Sequence, residues 1–319
     1  MNRSLMIHAL VALCTTVAAV LAWQLPHAST TETLVTVVPG ANDKLRQIIW
    51  HDPQYDVTVK RDKDARDVQV IVRKAPPAGK EASVSPAAQA YPGSAATTTL
   101  FTKMLPLQSP RLFGKLKSAE VKPMGLESPT TRLELTVGSE AQVIDVGDAA
   151  YGTGDFYART ASGEVFVLPA AEVRELRFGA NALQDRALVG FERNAVAHLA
   201  VHAGMQTRDL LQRQSDDGKK TLLSDPAEPD VALDQASAWV DRLLKLRAMD
   251  LADTLPTSEP VLTVELWDKQ NNMVVVKFWP ATGANAVAAS TRFATPVVLA
   301  KAAVDAVLHD VDEIFKEGK

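Results

Sequence analysis

Two stretches of this chain that lie 131 residues apart carry one pattern: Val165 to Leu176 (VFVLPAAEVREL) returns as Pro296 to Val307 (PVVLAKAAVDAV). Val167, Leu168, Ala171 and Val173 are identical to Val298, Leu299, Ala302 and Val304. Further windows follow in the same order. Asn194 to His202 (NAVAHLAVH) takes the place of Leu45 to Trp50 (LRQIIW), with Val196 opposite Leu45 at an offset of 151. Lys245 to Leu251 (KLRAMDL) parallels Lys115 to Val121 (KLKSAEV) at 130. Leu262, Val264 and Leu266 parallel Leu133, Leu135 and Val137 at 129, and Val274 to Val276 parallels Val143 to Asp145 at 131. An ordered series of this kind points to one scaffold built twice. The fall in offset from 151 to about 130 is roughly the length of the Pro/Ala-rich segment 75–99, and insertions settle in loops, where extra chain costs little.

The repeated pattern is that of an α+β fold. Tyr55 to Lys60 and Val68 to Val72 alternate apolar and polar residues as half-buried strands do, and Gly138-Ser139-Glu140 and Ala161-Ser162-Gly163 mark hairpin turns between further strands. Pro169 suits the first turn of a short helix, where its missing N–H is not needed. Ala236, Trp239, Val240, Leu243 and Leu246 recur at helical spacing, as do Val304, Val307, Leu308, Val311, Ile314 and Phe315, so each helix should cover one face of a sheet. The expected organisation is a membrane anchor or uncleaved signal at 1–23, a tether at 24–43 in which Leu34 to Val38 could pair as a strand, a first unit at 44–178 with a flexible insertion at 75–99, and a second unit at 193–317. Two domains suit a chain of 319 residues.

Leu5 to Trp23 is an uncharged, mainly apolar run of nineteen residues preceded by Arg3. As a helix it would extend about 28 Å, close to the hydrocarbon thickness of a bilayer. No Lys or Arg follows until Lys44, so the positive-inside bias sets the N-terminus in the cytoplasm and the bulk of the chain in the periplasm. The expected location is therefore a bacterial inner membrane, crossed once. Cys14, the only cysteine, lies inside the run, and an intramolecular disulfide is excluded.

The net charge of −4 and pI of about 5.9 supply no basic field for a polyanion, which argues against nucleic acid as a partner. Four groups of residues invite a chemical reading, and each has a simpler one. His198 and His202 have the i, i+4 separation of a helical zinc motif, but Leu199 stands where the general-base Glu belongs, and the segment reads as a strand. Asp145 to Asp155 (DVGDAAYGTGD) has acids and glycines without the order of a phosphate cradle or a twelve-residue calcium loop. His51-Asp52-Pro53 has no nucleophile elbow or reactive Cys beside it, and Lys60 to Arg66 is a mixed-charge hairpin end. No catalytic, cofactor-binding or metal residue is assigned.

The order of residues resembles the bacterial domain-of-unknown-function family 4340. The likeness lies in the N-terminal anchor, LRQIIW, and LELTVGSEAQVIDVGDAAYGTGDFYARTASGEVFVLPAAEVREL followed by ALVGFERNAVAHLAVH. It extends over most of the chain after residue 44. The resemblance implies a membrane-anchored envelope protein, encoded in some cases near transporter components of the gliding-motility type, and it carries over no catalytic residue. The function expected is that of a non-enzymatic periplasmic accessory or scaffold protein with a protein partner and no cofactor. The alternative is an exported hydrolase or ligand-binding protein with its site in the cleft between the two units.

Overall fold

The computed structural model describes residues 34–61, 68–75, 87–215, 218, 220–281 and 283–317. In chain order these form β1 (Val35–Val38), β2 (Leu45–His51), β3 (Tyr55–Arg61), β4 (Val68–Lys74), β5 (Gln89–Pro92) and helix α1 (Ala95–Lys103). Then come β6 (Leu107–Ser109), β7 (Leu112–Lys115), α2 (Ser118–Val121), β8 (Thr131–Val137), β9 (Glu140–Ala149), β10 (Phe156–Thr160), β11 (Glu164–Leu168) and α3 (Ala170–Val173). The remainder is β12 (Val196–Ala203), β13 (Gln206–Gln214), β14 (Thr221–Asp225), β15 (Glu228–Leu233), α4 (Asp234–Leu244) and β16 (Asp250–Leu251). It closes with β17 (Leu262–Asp268), β18 (Met273–Phe278), β19 (Asn285–Ser290), β20 (Val297–Ala300), α5 (Lys301–His309) and α6 (Val311–Lys316).

Two nine-stranded sheets result, with the orders β5-β4-β3-β2-β8-β9-β10-β11-β7 and β15-β14-β13-β12-β17-β18-β19-β20-β16. Position for position the two orders are the same, and the pairings are antiparallel throughout. The fold is α+β. Each sheet buries one face under helices, because its strands carry apolar residues at alternate positions mainly on that face, while Val165 joins Val121 and Leu126 in a small cluster on the other face of the first sheet. Ile48, Val57, Val59, Leu133, Leu135 and Ile144 build the first core, under Leu100 and Phe101 of α1 and Val173 of α3. Leu199, Leu210, Val264, Leu266, Val276 and Phe278 build the second, under Trp239 and Val240 of α4 and Val304 and Ile314 of the last two helices.

The strand registers fix the correspondence residue by residue. Ile48 pairs with Val59 and Leu199 with Leu210, an offset of 151 (199 − 48). Trp50 pairs with Leu133 and Val201 with Val264, so the counterpart of Leu133 is Val264 at 131, not Leu262 at 129. Ile144 opposite Leu133 answers to Val276 opposite Val264, at 132. The second hairpin is therefore longer by a single residue, in the turn where Asn271 takes a positive φ of 64°. Val167 and Val298 keep the expected offset of 131, each being paired with the equivalent position of the preceding strand.

Two other expectations are corrected and a third is sharpened. Helices α1 and α4 start 139 residues apart (234 − 95), so KLRAMDL corresponds to the run that enters β7, and its likeness to KLKSAEV is coincidental. Within 75–99, residues 76–86 lie outside the described residues, but Gln89–Pro92 is a strand with Tyr91 buried and α1 begins at Ala95, so this part is ordered framework. Within 24–43, where Leu34 to Val38 could pair as a strand, Val35–Val38 does so: it pairs with β6, and Val38 is buried. The stretch 5–23 lies outside the described residues, and among those no helix is long and apolar enough to cross a membrane.

The segment 179–192, between the two expected units, repeats the lead-in strand β1. Thr36 pairs with Gln108, and Ala187 with Arg247, at the same offsets of 151 and 139. Leu188 N–H donates to the Leu246 carbonyl and Ala248 N–H to that of Arg186, completing the ladder. The same segment also touches the first sheet: Gln184 pairs with Gly93 and Asp185 N–H donates to the Pro92 carbonyl.

Candidate functional site

The connecting segment gathers polar side chains at the junction of the two sheets. It arrives through a turn in which Phe178, Gly179 and Ala180 all take positive φ, of 57°, 77° and 54°. Only glycine does so freely, so the turn stores of order 1–3 kcal/mol at each of the other two positions. At Gly179 a Cβ would stand 3.2 Å from the Tyr55 ring, so the turn lies flat against that ring and leaves Phe178 65% exposed.

Beyond the turn, Arg186 ties both sheets together. Its Nε and one terminal nitrogen donate to Gln184 Oε1 at 3.1 and 2.7 Å, and the other terminal nitrogen donates to the Met249 carbonyl at 2.8 Å. The guanidinium lies 5.2 Å from the centre of the Tyr91 ring, an attraction of cation to ring face. Gln89 Nε2 of β5 donates to Asp250 Oδ1 of β16 at 2.7 Å, a direct bond between the outer strands of the two sheets. Burial pushes the Tyr91 phenol up from its usual range, against the opposing pull of Arg186, so it stays a neutral donor.

These groups line a recess of about 280 Å³ whose wall includes Tyr55, Lys74, Tyr91, Phe178, Arg186 and Asp250. On the other side of the connecting segment a wider recess of about 600 Å³ is bordered by Ser94, Asp185, Arg193, Asp241 and Arg247. There the charges are already matched. Arg193 Nε meets Asp241 at 2.9 Å and Arg292 meets Asp185 at 2.8 Å, while Ser94 Oγ donates to the Ala182 carbonyl. Burial lowers the Arg193 pKa although Asp241 opposes the shift.

Chemically, the smaller recess offers cations, aromatic faces and amides, with no Ser, Cys or His in its wall. With Asp250 beside them, these groups equip it to hold a polar molecule. The sequence candidates lie elsewhere. His198 stacks on Trp267 with ring centres 4.2 Å apart, and His202 Nδ1 is 3.0 Å from Thr207 Oγ1, so each imidazole has its own partner on the strand face. Among the described residues no three His, Cys, Asp or Glu side chains come together to hold a metal.

Asp145 pairs with Arg159 and Arg132, and Asp155 accepts from Ala170 N–H at the start of α3, so the acids of that hairpin are spread apart. Asp52 accepts from Trp50 Nε1 and from the N–H groups of Gln54 and Tyr55, closing the turn after β2, while His51 pairs with Asp56. Of Lys60 to Arg66, residues 62–66 lie outside the described residues. Sequence reasoning missed the junction residues Arg186, Tyr91 and Asp250. The one local signal was Gln184-Asp185-Arg186, a charged run where only a spacer was expected.

The family whose profile matches is described as Domain of unknown function (DUF4340), and the match covers residues 97–263, more than half of the 319 residues. The matched stretch runs from α1 across the junction to the start of β17. The chain belongs to this family. Comparison with curated proteins finds no match.

Proposed function

For this member of the DUF4340 family we propose a non-enzymatic role: an accessory or scaffold protein, anchored in a bacterial inner membrane through residues 5–23, that holds a protein partner in the periplasm. An ABC-type transporter complex is the partner class the family resemblance suggests. The observation that carries the reading is the junction itself. Arg186, Gln89 and the paired segment 184–188 fix two like sheets in one arrangement, a framework for presenting surface. Purification from native membranes in mild detergent tests it: a reproducible co-purifying membrane complex supports the role, and a chain that always emerges alone counts against it. A periplasm-specific reporter fused after Lys319 tests the orientation.

A second reading is ligand binding in the cleft between the sheets, favoured by the smaller recess with Lys74 and Arg186 in its wall. Its two cations, set against the single acid Asp250, point to a small anionic molecule. Thermal-shift titration with small dicarboxylates and phosphate, on the wild type and on Lys74→Ala, tests it. Stabilisation that the substitution abolishes supports the reading, and flat melting curves for all probes oppose it.

A further inference from the structure

We propose that this chain associates head to tail with further copies of itself, the edge formed by β7 and β1 of one copy docking against the β15 edge of the next. Inside one chain, the β5 edge of the first sheet already meets the β16 edge of the second, through the Gln89–Asp250 bond and the segment 184–188. In the repeat, β5 corresponds to β15 and β16 to β7. The internal joint therefore uses one edge of each kind and leaves the complementary edge of each kind unused, at opposite ends of the molecule.

The two unused edges are opposite in charge. Arg111 to Lys117 (RLFGKLK) carries three cations and no acid, and Arg111, Lys115 and Lys117 are exposed. Glu228 to Asp234 (EPDVALD) carries three acids and no base, and Glu228, Asp230 and Asp234 are exposed. Each edge also shows large apolar side chains to solvent: Leu112 and Leu34, 41% and 49% exposed, on the basic side, and Val231, 47% exposed, on the acidic side. Leu112 occupies in the first sheet the place of Leu251, which in the second packs against the core.

Pro229 and the positive φ of Gly114 oppose a continuous backbone ladder between copies, since proline cannot donate and the bulge bends its strand. The internal joint obeys the same restriction, its outer strands being linked by side chains and by a third segment. Contact through side chains is what both joints share, and the opposite charges of the two free edges add steering between copies. Because the two surfaces differ, the association is heterologous: it closes into a ring if the rotation allows and otherwise grows as a filament.

Sedimentation of the full-length chain in detergent, over low to high micromolar concentrations, reads the association directly. The mass is expected to rise with concentration and to fall as salt is added, the charges lying at the rim. Lys115→Glu/Lys117→Glu and Glu228→Lys/Asp230→Lys should each weaken association about tenfold or more, and mixing the two variants should restore it, because each then carries the edge the other needs. A wild type that stays monomeric at every concentration overturns the proposal, as does assembly of either variant alone to the wild-type extent. The salt dependence of the wild type provides the readout should a variant fail to fold.

Discussion

Gly147 and Trp279 stand at the same outward position of the two sheets, next to the equivalent core residues Val146 and Phe278, and the position is covered differently in each. At Gly147 the connection between β7 and β8, eight residues longer in the first copy (139 − 131), descends onto the strand, and a Cβ there would lie 2.2 Å from the Met124 carbonyl oxygen. At Trp279 the connection is short, and the indole covers the strand itself, its Nε1 donating to the Ser258 carbonyl at 2.8 Å.

Gly147→Ala should accordingly destabilise the protein by about 1–3 kcal/mol, because the obstructing atom is backbone and cannot rotate away. Urea unfolding followed by circular dichroism checks this as a lower midpoint at unchanged slope. A midpoint equal to the wild type's contradicts the assignment of Met124 to that space.

Trp239 is fully buried and its Nε1 donates to the Val307 carbonyl at 2.8 Å, joining α4 to α5. Trp239→Phe removes the donor and leaves that carbonyl buried without it, at a cost of about 1–3 kcal/mol before any packing loss. Thermal melts of the two proteins at one pH measure it, and a change well below that range would mean water reaches Val307.

Loss of Arg186 should act on cooperativity more than on either core. Arg186→Ala cuts the bonds to Met249 and Gln184 and the contact with Tyr91, removing roughly 1.5–3 kcal/mol of coupling through hydrogen bonds to a charged group. Differential scanning calorimetry should then resolve two transitions where the wild type shows fewer or broader-coupled ones. Identical traces would show that Gln89, Asp250 and the paired segment hold the sheets without it.

Asp268 closes the β17–β18 turn by accepting from the Asn272 amide and from the N–H groups of Gln270 and Asn272, and these bonds hold its carboxyl below the usual range. A folded-state pKa below the unfolded one contributes stability that is fully present above the unfolded value, near 3.9 for Asp, and is lost as pH falls through the folded value. Asp268→Asn should flatten the acid limb of the stability curve, and the change in slope should be confined to acidic pH. A slope difference at neutral pH would contradict this cause.

What could be read from the sequence follows from how strongly each element declares itself. Strands with strict alternation, such as Leu262–Asp268, were legible, although period two made a two-residue slip invisible and put Leu262 where Val264 belongs. Helix α4 was legible through Trp239, Val240 and Leu243, whereas its counterpart α1 was not. Ala95–Lys103 (AATTTLFTK) buries only Thr97, Leu100 and Phe101, and its run of β-branched threonines carries little helix propensity. The junction was illegible for another reason. Tyr91, Arg186 and Asp250 belong to three separate segments, and only the fold brings them to one recess.

The pairing of Ala187 with Arg247, matching that of Thr36 with Gln108, also sets where the repeated module begins. The repeated module begins one strand earlier than the sheet it serves, so each copy carries its own joining piece. In the second copy that piece lies between neighbours and works as mortar, while in the first it faces outward with Leu34 bare. Growth by a third module would need no new kind of joint, only another round of the same masonry.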